Sequence, residues 1–196
     1  MSTSTPPVTL ALILINVALY FVERATHGAI LASLALWPLG TRFEPWQLLT
    51  YGFLHDWTGY AHLFFNMFAV WMFGSQLERY WGPGRYLYFY LVAIVSAGLT
   101  QLVVTTLLGQ GFETIGASGA VFGLLLGYAM YFPRQRVLIF FVVPMPAWAF
   151  VTLYGAAELY MGVTGTQAGV AHFAHLGGML GGWLVILSWR RRALAS

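Results

Sequence analysis

The 196-residue chain is 59% hydrophobic and 17% aromatic with only 8% charged residues, where a soluble domain carries roughly 25% charge. This excludes an ordinary soluble globular protein, and the absence of cysteine excludes disulfides, thiol nucleophiles and thiolate metal sites. The formal net charge of +3 is small and concentrated on one side of the chain's apolar runs, which orients a membrane protein and gives no reason to expect a nucleic-acid partner.

Crossing a hydrocarbon core of roughly 30 Å takes about 20 residues of helix, and the apolar content falls into six runs near that length. Residues 1–7 are a polar lead without Lys or Arg, so the first run, 8–22, lacks the basic flank of a secretory signal and is expected to remain in the mature chain. A long loop follows, with an apolar patch at 29–39 that is too short to cross and is broken by Trp37-Pro38, as expected of an interfacial or re-entrant segment. The second span is expected at 60–77, the third at 86–108 and the fourth at 117–132, stopped by Pro133. The stretch 137–143, closed by Pro144-Met145-Pro146, either lengthens the next span or lies in the interface. The fifth span is expected at 147–161, a polar loop at 162–167, and the sixth span at 168–189 before Arg190-Arg191-Arg192. The expected fold is all-α, a single polytopic membrane domain of six transmembrane helices covering 1–196. Seven of the nine basic residues lie on the side of the two termini, so the positive-inside rule makes both termini cytoplasmic.

Three of the runs carry polar groups at one depth. Ser118 lies 16 residues before Arg134, His175 lies 15 before Arg190, and Asn66 and His62 lie 13 and 17 before Arg79. At about 1.5 Å per residue all four sit roughly 20–26 Å above the inner boundary. On its own, Gly116-Ala117-Ser118-Gly119 is only a close-packing element. Polar side chains in hydrocarbon need partners, however, and a shared layer on three helices points to one shared site. Gly119, Gly123 and Gly127 recur every four residues on the fourth span, and Gly178 and Gly182 form Gly-x-x-x-Gly on the sixth, so the helices carrying Ser118 and His175 can approach closely. Phe122, one turn below Ser118, lies on its face and can stack on an imidazole. A serine opening a helix also lies where unpaired N–H groups would stabilise an oxyanion.

The run His62-Leu-Phe-Phe-Asn66 with Gly74, Glu78 and Gly82, then Gly116-Ala-Ser118-Gly119, then Ala174-His175-Leu-Gly-Gly178 with Gly182, resembles the rhomboid intramembrane serine proteases over essentially all six spans. The resemblance implies a six-helix rhomboid-like bundle. In it Ser118 is the nucleophile and His175 the general base, and His62, Asn66 and the Ser118 backbone N–H stabilise the oxyanion. Gly116 is the small residue before the nucleophile, and Phe122 is the aromatic that stacks on the base. Gly119, Gly178 and Gly182 support these by packing. Trp46-Gln47 stands where many members have Trp-Arg, and the interval from His55 to His62 is about two residues longer than is common.

No Asp or Glu lies in the shared layer on the three helices, so the expectation is a Ser-His dyad. The second nitrogen of His175 would then meet a backbone carbonyl, a hydroxyl or water. His172, one turn nearer the outer surface, is the rival base, and His175 is favoured because the glycine steps lie directly below it. Glu158 is read as snorkelling or pairing at the outer end of the fifth span, Asn16 and Gln101 as interhelical hydrogen bonders, and His27 and His55 as outer-loop residues. His-Glu-x-x-His is absent, which argues against a metalloprotease; no metal or cofactor is expected. The expected partners are single-span membrane-protein substrates, cleaved near the outer face, and membrane lipid; the expected location is a prokaryotic plasma (inner) membrane. Two other classes compete: a catalytically inactive rhomboid-like protein that binds membrane clients, and a small transporter. The apolar lower halves of the second, fourth and sixth spans argue against the transporter.

Overall fold

The computed structural model describes residues 4–109, 112–139, 142–166 and 171–195. The chain is mainly helical: α1 (Pro7–Ala25), α2 (Leu31–Leu34), α3 (Gln47–Thr50), α4 (Ala61–Ala69), α5 (Ser75–Trp81), α6 (Pro83–Leu108), α7 (Ser118–Tyr131), α8 (Ala147–Thr164) and α9 (His172–Ala195). Each expected apolar run is helical to within a residue or two over its described part, except that α1, α8 and α9 run on past the expected ends and the second run continues to Trp81. The expected start of the sixth span at Ala168 and the end of the preceding loop at Gln167 lie outside the described residues. Gly162 to Thr164, expected in that loop, are the last residues of α8, which stops at Gly165.

Among the described residues α1 and α6 are each long and apolar enough to cross a membrane, while α7 is apolar but has only 14 residues. The second run is one rod interrupted by a π turn at Val70–Gly74 between α4 and α5, where a side chain on Gly74 would collide with the hydroxyl of Tyr86. Glu78 on α5 accepts the backbone N–H groups of Val8 and Thr9 at 3.0 and 2.7 Å and the Thr9 hydroxyl at 2.7 Å. It thereby caps α1, whose first N–H groups have no helical partner. Gly82, at φ +81°, makes the reversal from α5 into α6, and Pro83 then starts the new helix without a wasted donor. Large apolar side chains face outward along the helices, Phe65 at 62% and Leu107 at 79% exposure. Water would not tolerate so much apolar surface, and lipid does.

α9 is the central helix, packed against α6 and α7 and flanked by α8. A Cβ on Gly178 would fall on the carbonyl oxygen of Gly119, and one on Gly123 would lie 3.0 Å from the carbonyl oxygen of Gly178. The two backbones therefore touch where larger residues would hold them apart. The third rung differs: Gly127 faces Trp81, Phe89 and Leu77 rather than α9.

The all-α expectation is corrected. The described part of 137–143 does not lengthen the fifth span: Arg136–Ile139 and Val143–Pro146 pair antiparallel as β1 and β2, so the chain is not purely α. Pro144 and Pro146 cannot serve inside a helix, and β-branched valines and isoleucine suit a short ribbon. Asn16 donates from its amide to the Leu12 carbonyl one turn back at 2.7 Å, and its side chain also faces the Tyr90 hydroxyl of α6, the interhelical place expected of it.

The loop between α1 and α4 is built over the start of α7. Leu36 and Thr114 exchange backbone hydrogen bonds at 3.0 and 2.9 Å, and the Gly116 N–H donates to the Tyr51 carbonyl at 3.0 Å. Gln47, fully buried, donates to the Ser33 and Arg42 carbonyls and accepts the Trp37 N–H. An uncharged amide at this place thus holds the loop through three backbone contacts.

Candidate active site

Ser118 is the first residue of α7. The preceding Gly116 has φ +125°, a conformation that side chains disfavour, and a Cβ there would lie 2.9 Å from His62 Nε2 and 3.6 Å from Ser118 Oγ. A glycine at 116 therefore lets the serine, the histidine of α4 and the turn converge. The Ser118 hydroxyl and His175 Nε2 are 2.8 Å apart. Phe122 stacks on the His175 ring with centroids 4.2 Å apart and planes 7° from parallel, which fixes the imidazole plane.

His62 accepts the Asp56 backbone N–H at Nδ1, 3.2 Å away. Its ring proton is then on Nε2, the nitrogen beside Gly116, so this neutral histidine presents a donor toward the serine. Asn66, 6% exposed, donates from its amide to the His62 carbonyl at 2.9 Å; that leaves its second N–H. His55 lies in the loop before α4 and is fully buried, its ring centroid 5.0 Å from that of His62. Burial, with His62 nearby, pushes its imidazole down to about 3, so it is neutral at ordinary pH. Its backbone N–H donates to both carboxylate oxygens of buried Glu23 at 3.0 and 3.1 Å, which ties the end of α1 to the segment that supports His62.

The largest correction concerns the second nitrogen of His175. It faces a carboxylate: Nδ1 lies 2.8 Å from Glu158 Oε2, and the same oxygen lies 2.7 Å from His172 Nδ1. Glu158 is 3% exposed, so it does not snorkel. α8 extends to Thr164, which sets the acid more than a turn inside the helix end, and its stem is too short to reach water. His172 turns away from Ser118, with Nε2 3.1 Å from the Thr166 carbonyl. Sequence reasoning missed this contact because it searched only the three helices that carry the motifs. The signal was present: Glu158 is the one acid in α8, which has no basic residue, and a carboxylate inside such a helix requires a partner. Histidines three residues apart on a neighbouring helix can both supply one.

Among the described residues, Glu158, His172 and His175 offer three ligand atoms within 4.8 Å of one another. All three also take part in the hydrogen bonds just described.

Fold and site together define a helical membrane protein with a serine–imidazole pair at the start of a buried helix. The rhomboid domain profile matches residues 42–192, more than half of the sequence, and the chain belongs to the rhomboid family; proteins of this family are integral to membranes. It is similar to rhomboid protease GluP of Bacillus subtilis, 31% identical over 140 residues that cover 71% of this chain and 25% of that protein. It also resembles rhomboid protease GlpG of Photorhabdus laumondii, 28% identical over 193 residues, 98% of this chain and 64% of that protein. A third relative is the mitochondrial rhomboid protein 1 of Saccharomyces cerevisiae, 32% identical, covering 65% and 37%. The chain thus spans less than two-thirds of the length of each of these three.

Proposed function

We propose that the chain is an intramembrane serine endopeptidase that cleaves transmembrane segments of single-span membrane proteins near the outer face. In this reading six helical spans form one domain with both termini cytoplasmic, in a prokaryotic plasma membrane. The observation that carries it is the 2.8 Å contact between Ser118 Oγ and His175 Nε2 at the start of α7. Serine is a weak nucleophile unless a base removes its proton. Here His175 Nε2 takes the proton as Oγ bonds to the scissile carbonyl carbon. The carbonyl oxygen becomes an oxyanion facing the Ser118 N–H, the His62 Nε2–H and Asn66. His175 then delivers the proton to the leaving nitrogen, the C–N bond breaks and an acyl-serine remains. Water, deprotonated by the same imidazole, releases the acyl group and restores Ser118. A peptide bond in an intact helix is shielded, so substrates with small or helix-weakening residues at the cleavage site are favoured. The test is incubation of purified protein with a panel of single-span substrates and with a serine-directed fluorophosphonate. Absence of both cleavage and labelling of Ser118 would overturn the proposal.

Asn66→Ala separates an oxyanion donor from a structural amide. Loss of one donor is expected to lower turnover roughly 10²- to 10³-fold, while fluorophosphonate labelling persists because Ser118, His175 and His62 are intact. A tie between residues of the bundle would instead be worth only about 0.6 kcal/mol of stability. A destabilised Asn66→Ala protein with normal turnover per folded molecule would remove this residue from the site.

A further inference from the structure

We infer that Glu158 and His172 act as a charge-compensated positioning pair for His175: Glu158 fixes the tautomer of the base, and His172, protonated on both nitrogens, balances the carboxylate. This rests on the protease reading for its activity measurements, and adds to it residues from α8 and from the outer end of α9.

His175 Nε2 faces a hydroxyl that must donate to it for the serine to be activated, so the ring proton must be on Nδ1, and Nδ1 faces Glu158 Oε2 at 2.8 Å. The carboxylate is thus the acceptor that selects the reactive tautomer, as a buried acid does in soluble triads. His172 has acceptors at both nitrogens. Nδ1 lies 2.7 Å from Glu158 Oε2 and Nε2 3.1 Å from the Thr166 carbonyl oxygen, and a carbonyl cannot donate. With Glu158 ionised its oxygen cannot donate either, so both contacts are hydrogen bonds only when the ring carries two protons and a positive charge.

Burial supplies the reason. Glu158, His172 and His175 are 3%, 5% and 8% exposed, and an unpaired carboxylate in such a place is costly. An imidazolium at 2.7 Å neutralises it, leaving His175 neutral and free to accept the serine proton. The other groups that face the cluster are Tyr154 on α8, close enough to Glu158 to sense its charge, and Ser118 on α7 and His62 on α4, both toward His175. None of them is a cation, so His172 is the compensating charge among the described residues.

The two partners should have opposite signatures. Glu158→Gln is expected to lower kcat by between about 10²- and 10⁴-fold, the larger figure being that of the matching amide substitution in a soluble triad, with KM unchanged. It should also move the acid limb of the kcat profile to lower pH, since the anion that favours protonated His175 is gone. His172→Gln is expected to cost about tenfold and to move the same limb to higher pH, because Glu158 then faces His175 uncompensated. In ¹⁵N spectra of the wild-type protein at pH 7, His172 should show two protonated ring nitrogens and His175 one, on Nδ1. A merely structural pair would lower the melting temperature of both variants and leave the limb in place. An unmoved limb in either variant, movement in the same direction in both, or a neutral His172 in the spectrum would overturn the inference. The spectrum needs no variant to fold. Failure of the protease reading is distinct: it appears as a wild-type protein that neither cleaves nor labels, whatever the state of His172.

Discussion

Ser118→Ala and His175→Ala are each expected to lower turnover by on the order of 10⁶-fold, to the floor of a cleavage assay, while the protein stays folded. Nucleophile and base act as a unit, so removing either costs about as much as removing both. The geometry makes the test clean. Ser118 is the first residue of α7 and makes its hydroxyl contact with His175 alone among the described residues, so losing one oxygen leaves the packing of α7 on α9 untouched. His175→Ala removes more, because Phe122 stacks on that ring, and its melting temperature should fall further than that of Ser118→Ala. Cleavage of a single-span substrate, scored per folded molecule, decides the matter, and full activity in either variant would sink the assignment. His172→Ala should be milder. A loss equal to that of His175→Ala would make His172 the base.

How much of this was legible in the sequence follows from where each signal lies. Hydrophobic runs located the long helices, because run length and composition are local properties. The convergence of His62, Ser118 and His175 was readable because helical rise is uniform. The close approach of Gly119 and Gly178 followed from small residues at helix spacing. What escaped was set by contacts between segments without a shared pattern. Glu158 lies on a helix that carries no motif, and only the packing of α8 against α9 brings it to His172 and His175. His55 was read as a loop residue and lies in the loop before α4; its burial escaped because nothing local foretells that the Glu23 carboxylate draws its backbone inward. The hairpin of β1 and β2 was ambiguous since a short apolar run fits strand and helix alike, and the two prolines that close it do not by themselves specify a ribbon.

Gly178→Leu tests whether backbone contact between α7 and α9 sets the catalytic distance, and turnover is expected to fall about 100-fold or more, the effect of an ångström of misplacement. A Cβ at 178 would lie 2.7 Å from the carbonyl carbon of Gly119 and closer still to its oxygen. That neighbour is backbone and cannot rotate away, so the helices must separate. Gly119 adjoins Ser118, and Gly178 lies one turn from His175, so the separation passes almost undiminished into the 2.8 Å contact between Oγ and Nε2. Gly123→Leu acts one turn lower, against Ala93 Cβ at 2.8 Å and the Gly178 carbonyl oxygen at 3.0 Å. There the α7–α9 axis can tilt rather than shift, and the loss should be smaller. Both substitutions should slow fluorophosphonate labelling in parallel with cleavage, since each process needs the activated serine; Asn66→Ala should spare labelling. Measuring labelling rate, turnover and melting temperature on the same samples distinguishes misalignment from unfolding. A folded Gly178→Leu protein with unchanged labelling would show that these glycines do not set the distance between nucleophile and base.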